Sequence, residues 1–185
     1  MRWLRNESKN KKEIQSRLSH AEWGELYNPS LCDEVLRRIK CANYTIQTHE
    51  MLNLTCEGQT VLEIGSGTGE TSIVLSEFGR YVTALDFEKD CLLLTAQIAK
   101  KMGLEVSCVH GDAESKDVLA GNVYDVVFQA GFLEHYQFDE RVALLKNWSK
   151  LCGNKMISLV PNASSLAYRL GKSIQESDGA WPYGA

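Results

Sequence analysis

Proline is scarce here, three residues in 185, and it stands beside 14 glycines in a chain that is 44% apolar and 24% charged. That balance excludes a disordered or fibrous protein and leaves a globular one. Paired cysteines are missing too. The six at 32, 41, 56, 91, 108 and 152 never form Cys-x-x-Cys, which counts against a disulfide framework or a zinc site and favours reduced thiols used as small apolar residues. The four histidines show no His-x-x-x-His spacing, so a metal site has no support. No apolar run approaches the roughly 20 residues that span a bilayer, and the first residues lack the apolar stretch of a secretory signal. A cytoplasmic protein without membrane association is the expectation. Cationic surplus is absent: 20 basic residues face 24 acidic ones, a net charge of −4. A broad nucleic-acid-binding surface needs clustered cations, so nucleic acid is not expected as a partner.

What remains is enough chain for one domain, able to bury roughly 70% of its unfolded surface without staples. Residues 1–20 carry six basic and two acidic side chains, leaving 14 against 22 in the rest. This basic leader reads as a solvated arm or as a contact for an anionic partner. Between Ser30 and Asn53, Leu31, Val35, Leu36 and Ile39 recur at helical spacing and predict one or two helices, a cap over residues 1–57. From residue 60 short apolar runs alternate with amphipathic stretches. The runs are Val61–Ile64, Tyr81–Leu85, Glu105–Val109, Tyr124–Phe128 and Lys155–Val160. Helices are predicted at about Glu70–Phe78, Lys89–Met102 (closed by Gly103) and Asp139–Cys152 (closed by Gly153), with a weaker one between 110 and 123. Such alternation means βαβ units, hence an α/β fold with a doubly wound, mostly parallel sheet over residues 58–160.

Ligands of open α/β sheets bind beyond the carboxyl ends of the strands. After the first run stands Glu63-Ile64-Gly65-Ser66-Gly67-Thr68-Gly69, where alternate glycines permit a tight bend and close ligand approach. After the second stands Asp86, spaced to grip the two hydroxyls of a ribose or to cap the next helix. A dinucleotide motif would place its third glycine where this chain has Glu70, and a carboxylate there is expected to repel a pyrophosphate.

The Glu-x-Gly-x-Gly-x-Gly stretch resembles motif I of class I S-adenosylmethionine-dependent methyltransferases, whose cofactor carries a sulfonium and an ammonium but no phosphate. The likeness covers roughly residues 58 to 162. It implies a Rossmann-like strand order 3-2-1-4-5 and S-adenosylmethionine as cofactor, with Glu63, Gly65, Ser66, Gly67, Gly69 and Asp86 at its site. His110-Gly-Asp-Ala-Glu resembles the family's adenine-binding segment, which implies that Asp112 reaches the exocyclic amine and Ala113 supplies a backbone donor. Phe87 would then pack on the adenine face. Tyr124-Asp-Val-Val-Phe-Gln-Ala-Gly-Phe-Leu-Glu-His-Tyr is similar to the fourth-strand motif, which implies Gln129 beside the cofactor and Glu134 and His135 near the transfer site. Each has a plainer reading: Asp112 as a turn residue, Glu134 and His135 as a helix start. Trp23 and Tyr27 either cover the cofactor or pack an interface.

The resemblance implies methyl transfer by in-line displacement, in which positioning is the protein's main task and His135 is the candidate base. The Asn/Asp-Pro-Pro-Tyr/Phe motif that the family uses on DNA bases is absent after the fourth run, and a small-molecule acceptor is expected. An NAD-dependent oxidoreductase and a non-catalytic cofactor- or partner-binding protein are the rival functions. The family usually adds a sixth and a seventh strand. After Val160 only a predicted helix from Asn162 to Ile174 and a turn-rich end follow, so that hairpin is expected to be missing. A fifth strand at the edge predicts either a homodimer through it or residues 162–185 folded over it.

Overall fold

The structure, a computed structural model, describes residues 20–115, 117–119, 121–179 and 181. The basic leader lies outside the described residues, apart from its last position. Helices α1 (His20–Leu26), α2 (Cys32–Lys40) and α3 (Ile46–Leu54) come first. They are followed by β1 (Thr60–Ile64), α4 (Glu70–Glu77), β2 (Tyr81–Asp86), α5 (Lys89–Met102) and β3 (Val106–His110). β4 (Tyr124–Ala130), α6 (Phe138–Trp148), β5 (Cys152–Leu159) and α7 (Leu166–Ser177) come next. All strand pairs are parallel, in the order β3-β2-β1-β4-β5, the Rossmann-like order expected.

Alternation along β1 sorts the two faces. Leu62 and Ile64 join Leu85, Val127, Leu144 and Trp148 under α6, while Val61 joins Val82, Val126, Phe128 and Leu75 on the other side. There α2, α4 and α5 close over the sheet with Val35, Ile39, Ile73, Leu94 and Ile98. Burial on both faces explains why β1, β2 and β4 read as continuous apolar runs, whereas the outer strands β3 and β5 keep much of their length exposed. Helix ends follow local chemistry: Gly103 closes α5 at φ +70°, and Gln137 and Glu140 form a reciprocal capping box on α6.

Several boundaries differ from expectation, among them that of α7, found at Leu166–Ser177 where Asn162–Ile174 was predicted. The stretch from Gly111 to Val123 has no helix among its described residues. The predicted helix Asp139–Cys152 ends at Trp148 with one further 3₁₀ turn, and Cys152 and Gly153 belong to β5. Pairing decides this, because Cys152 lies opposite Tyr124 and a register irregularity follows, where a Cβ on Gly153 would stand 3.2 Å from Val123. The cysteines are all free, but only Cys32 and Cys91 are buried, whereas Cys41, Cys56 and Cys108 are exposed. Small apolar packing therefore describes a minority of them.

Candidate functional site

Strand order reverses between β1 and β4, the two strands that flank the switch point. Register brings their ends level with those of β2 and β3: Ile64 pairs with both Leu85 and Gln129, and Asp86 with His110. Everything that follows these strands converges on one edge.

The turn after β1 is built from glycine out of necessity. Gly65, Gly67 and Gly69 have φ of +71°, +52° and +70°, a region costly for residues with a Cβ. The Gly65 and Ser66 amides both donate to the Leu85 carbonyl, at 2.9 and 3.3 Å, which folds the turn over β2. Space adds a second requirement. A Cβ on Gly65 would stand 2.8 Å from the Phe132 ring, and one on Gly69 would overlap Thr95 of α5. Gly69 thus serves close helix packing, while Gly65 and Gly67 face the aromatic side chains above the turn.

Asp86 sits beneath that turn, buried. Its Oδ2 accepts from the Gly67 amide at 3.0 Å and from Ser66 Oγ at 3.5 Å, and its Oδ1 accepts from the Glu88 amide at 2.9 Å. It is not the N-cap of α5, a place taken by Glu88. Burial pushes the carboxyl above its ordinary range, and the amide hydrogen bonds from Glu88 and Gly67 oppose that. Two carboxylate oxygens offer about four lone-pair positions; one stays free, and a second is held only by Ser66 Oγ at 3.5 Å, so two ligand hydroxyls fit if that bond gives way.

Glu63 and Glu70 occupy different places from those their spacing suggested. Glu63 turns toward α4, where Ser72 donates to it through its amide at 3.1 Å and its hydroxyl at 2.5 Å. Desolvation raises its pKa to about 8, with the Ser72 bonds opposing, so the group is largely protonated at neutral pH and anchors the helix rather than presenting charge. Glu70, the first residue of α4, is ion-paired with Arg38 of α2 and accepts from the Thr45 amide at 2.7 Å and the Thr48 hydroxyl at 3.1 Å. Its charge is spent on the helical cap.

Beyond β4, Gln129 is buried. Its Oε1 accepts from the amides of Phe132 and Leu133 at 2.8 and 3.3 Å, and its Nε2 donates to Ser158 of β5. It therefore sets the turn that carries Phe132 onto Gly65. Glu134 and His135 follow in a 3₁₀ turn. Trp23 meets the His135 ring edge-on at 5.5 Å and stacks on Tyr27 at 5.9 Å, and Tyr27 reaches to 3.7 Å from the position of a Gly67 Cβ. Cap and post-β4 turn thus approach from opposite sides and meet over the glycines. After β3, Asp112 Oδ1 accepts from the Glu114 amide at 2.8 Å, the Ala113 carbonyl accepts from Trp148 Nε1 at 3.0 Å, and Phe87 is half-buried nearby, its carbonyl 3.0 Å from His110 Nε2.

So Gly65, Ser66, Gly67 and Asp86 form one bonded unit, with Phe87, Asp112 and Ala113 beside it at the strand ends. Glu63, Gly69 and Gln129 stand one layer behind and hold the unit in shape. Arg38, Ser72, Phe132 and Ser158 were missed by sequence reasoning. They lie 9 to 32 residues from the groups they bond, or, for Phe132, beyond the end of the neighbouring strand from the glycine it covers, and no local pattern joins such pairs.

A family model described as a methyltransferase domain matches residues 61–154. Cypemycin N-terminal methyltransferase of a Streptomyces species is 34% identical over 93 residues, 49% of this chain and 36% of that protein. Ribosomal RNA small subunit methyltransferase A of Erythrobacter litoralis (strain HTCC2594) is 36% identical over 73 residues, 38% of this chain and 26% of that one. The match thus spans about a third or less of the length of these curated relatives. A putative S-adenosyl-L-methionine-dependent methyltransferase from Methanococcus maripaludis superposes with a TM-score of 0.60 at 15% identity, covering 90% of this chain and 76% of the other. At that identity the likeness concerns the fold.

Proposed function

The chain belongs to the methyltransferase-domain family, and on that footing we propose that it transfers a methyl group from S-adenosylmethionine to a small-molecule acceptor. The observation that carries this reading is Asp86, a buried carboxylate bonded to the amide of Gly67 and keeping acceptor capacity for the paired hydroxyls of a ribose. The residues present fit the cofactor, since a buried carboxylate lies beneath a turn whose Gly65 and Gly67 put no Cβ between backbone and ligand. When bound, S-adenosylmethionine supplies an activated methyl on a sulfonium.

The chain's own residues bind and orient. Asp86 holds the ribose, Phe87 packs against the adenine, Asp112 accepts from its exocyclic amine and the Ala113 amide donates to its ring. Glu63, Gly69 and Gln129 keep the turns in register behind them. Trp23, Tyr27 and Phe132 exclude water above the glycines, which favours a charge-dispersing displacement. His135 is the base for an acceptor that starts protonated, taking the proton on its imidazole.

The net charge of −4 argues against a nucleic-acid acceptor, although one relative's name refers to ribosomal RNA. No helix among the described residues is long and apolar enough to cross a membrane, and a cytoplasmic location is the simplest fit. Among the described residues β5 is an outer strand paired only with β4, which supports a homodimer through that edge. The alternative of α7 folded over the strand has less support, because Leu166, Leu170 and Ile174 stay 78%, 59% and 52% exposed.

Turnover separates the remaining readings. Incubation with labelled S-adenosylmethionine and a panel of small acceptors is expected to give labelled product, lost in Asp86→Ala. Cofactor binding with no transfer to any acceptor favours a non-catalytic protein, and binding of NAD in place of S-adenosylhomocysteine favours an oxidoreductase.

A further inference from the structure

The turn between β4 and α6 carries a carboxylate with one buried oxygen left without a hydrogen-bond partner among the described residues. It belongs to Glu134, which is half-buried, and the oxygen is Oε2. Arg141 is close in sequence, but its guanidinium donates to main-chain oxygens, to the Tyr136 carbonyl at 2.6 Å and the Glu134 carbonyl at 3.4 Å. The other oxygen lies 3.6 Å from where a Cβ on Gly131 would be, a glycine at φ +75°. Desolvation pushes this carboxyl above its ordinary range, and its own backbone amide and the nearby Arg141 charge oppose that only in part. A buried carboxylate oxygen left unmatched is expensive, and folds keep one where something supplies a donor.

The surroundings restrict what that donor is. Phe132, two residues earlier, stacks on Tyr136 at 5.0 Å and covers Gly65, while His135, the next residue, meets Trp23, which stacks on Tyr27. The carboxylate therefore belongs to a turn flanked by aromatic rings at the place where cap and sheet edge meet. Ring faces attract cations, and a cationic donor offsets the burial of a negative charge where a neutral hydroxyl does not.

Resting on the methyltransferase reading, we propose that Glu134 binds the acceptor and that the acceptor is an amine, captured as its ammonium by this carboxylate within the aromatic enclosure. The ammonium gives one proton to the His135 imidazole, which passes it to water. The freed nitrogen lone pair forms the new N–CH3 bond as the carbon–sulfur bond breaks, its electron pair leaving with sulfur. Glu134 remains ionised throughout and holds the methylated ammonium that results.

Calorimetric titration of the protein saturated with S-adenosylhomocysteine tests this. The probes are 2-phenylethylamine, benzylamine and a tripeptide with a free amino end, each beside its hydroxyl analogue. At least one amine should bind about tenfold or more tighter than its hydroxyl counterpart, the size of a charge-assisted bond. Glu134→Gln should remove roughly that advantage while leaving the affinity for S-adenosylhomocysteine unchanged, which also shows that the variant is folded. Equal binding of amines and hydroxyl analogues, an amine affinity untouched by Glu134→Gln, or no amine binding to a protein that does bind S-adenosylhomocysteine overturns the proposal. Failure of the unmutated protein to bind S-adenosylhomocysteine removes the methyltransferase reading itself, and this inference with it.

Discussion

Glu63 illustrates how far a residue's role depends on what stands behind it. Its position in the motif suggested a carboxylate facing a cationic ligand, yet its side chain is sealed against Ser72 with a pKa of about 8. Because the folded-state value is raised above the ordinary 4.5, the folded protein binds the proton more tightly than the unfolded chain. The resulting stability is complete below pH 4.5 and fades as pH rises through about 8. Melting temperature should therefore fall between pH 6 and 9, and Glu63→Gln, which keeps an acceptor for Ser72, should flatten that slope in a calorimetric scan. An unchanged slope in the variant would show that another group carries it. Gly69 makes a second test at this scale. Gly69→Ala combines a left-handed φ with overlap against Thr95 and should cost about 3 kcal/mol in urea denaturation, with Thr95→Ala recovering part of the loss.

At the scale of elements, the parts governed by local chemistry were readable in the sequence. β1, the glycine turn and α5 with its Gly103 stop stand where periodicity and turn residues put them, since each depends on φ preferences and burial within a few residues. The start of β5 was not readable: Cys152 and Gly153 are drawn into the sheet by pairing with β4, which a helix-plus-glycine pattern conceals. The site divides in the same way. The juxtaposition of Gly67 with Asp86 was foreseeable from strand-end spacing, whereas the clasp between Arg38 on α2 and Glu70 on α4 joins residues 32 apart through tertiary packing alone. That clasp ties the cap to the cofactor turn. Arg38→Ala leaves the buried Glu70 with Thr45 and Thr48 only, and should cost about 2–3 kcal/mol and weaken S-adenosylhomocysteine binding. A stability loss with cofactor affinity intact would make the clasp structural only.

For the whole molecule, β5 is an outer strand among the described residues, and the apolar stripe of α7, next in sequence, is exposed. Sedimentation equilibrium should show a dimer at micromolar concentration, and a monomer at every concentration would contradict pairing through that edge. The central claim is that Asp86 and the glycine turn hold S-adenosylmethionine, and titration with S-adenosylhomocysteine addresses it most directly. One molecule should bind per chain, and Asp86→Ala, verified as folded by circular dichroism, should bind at least about 100-fold more weakly, as expected when two hydroxyl contacts to a buried carboxylate are lost. No heat of binding from the unmutated protein, or equal affinity in Asp86→Ala, would contradict the account.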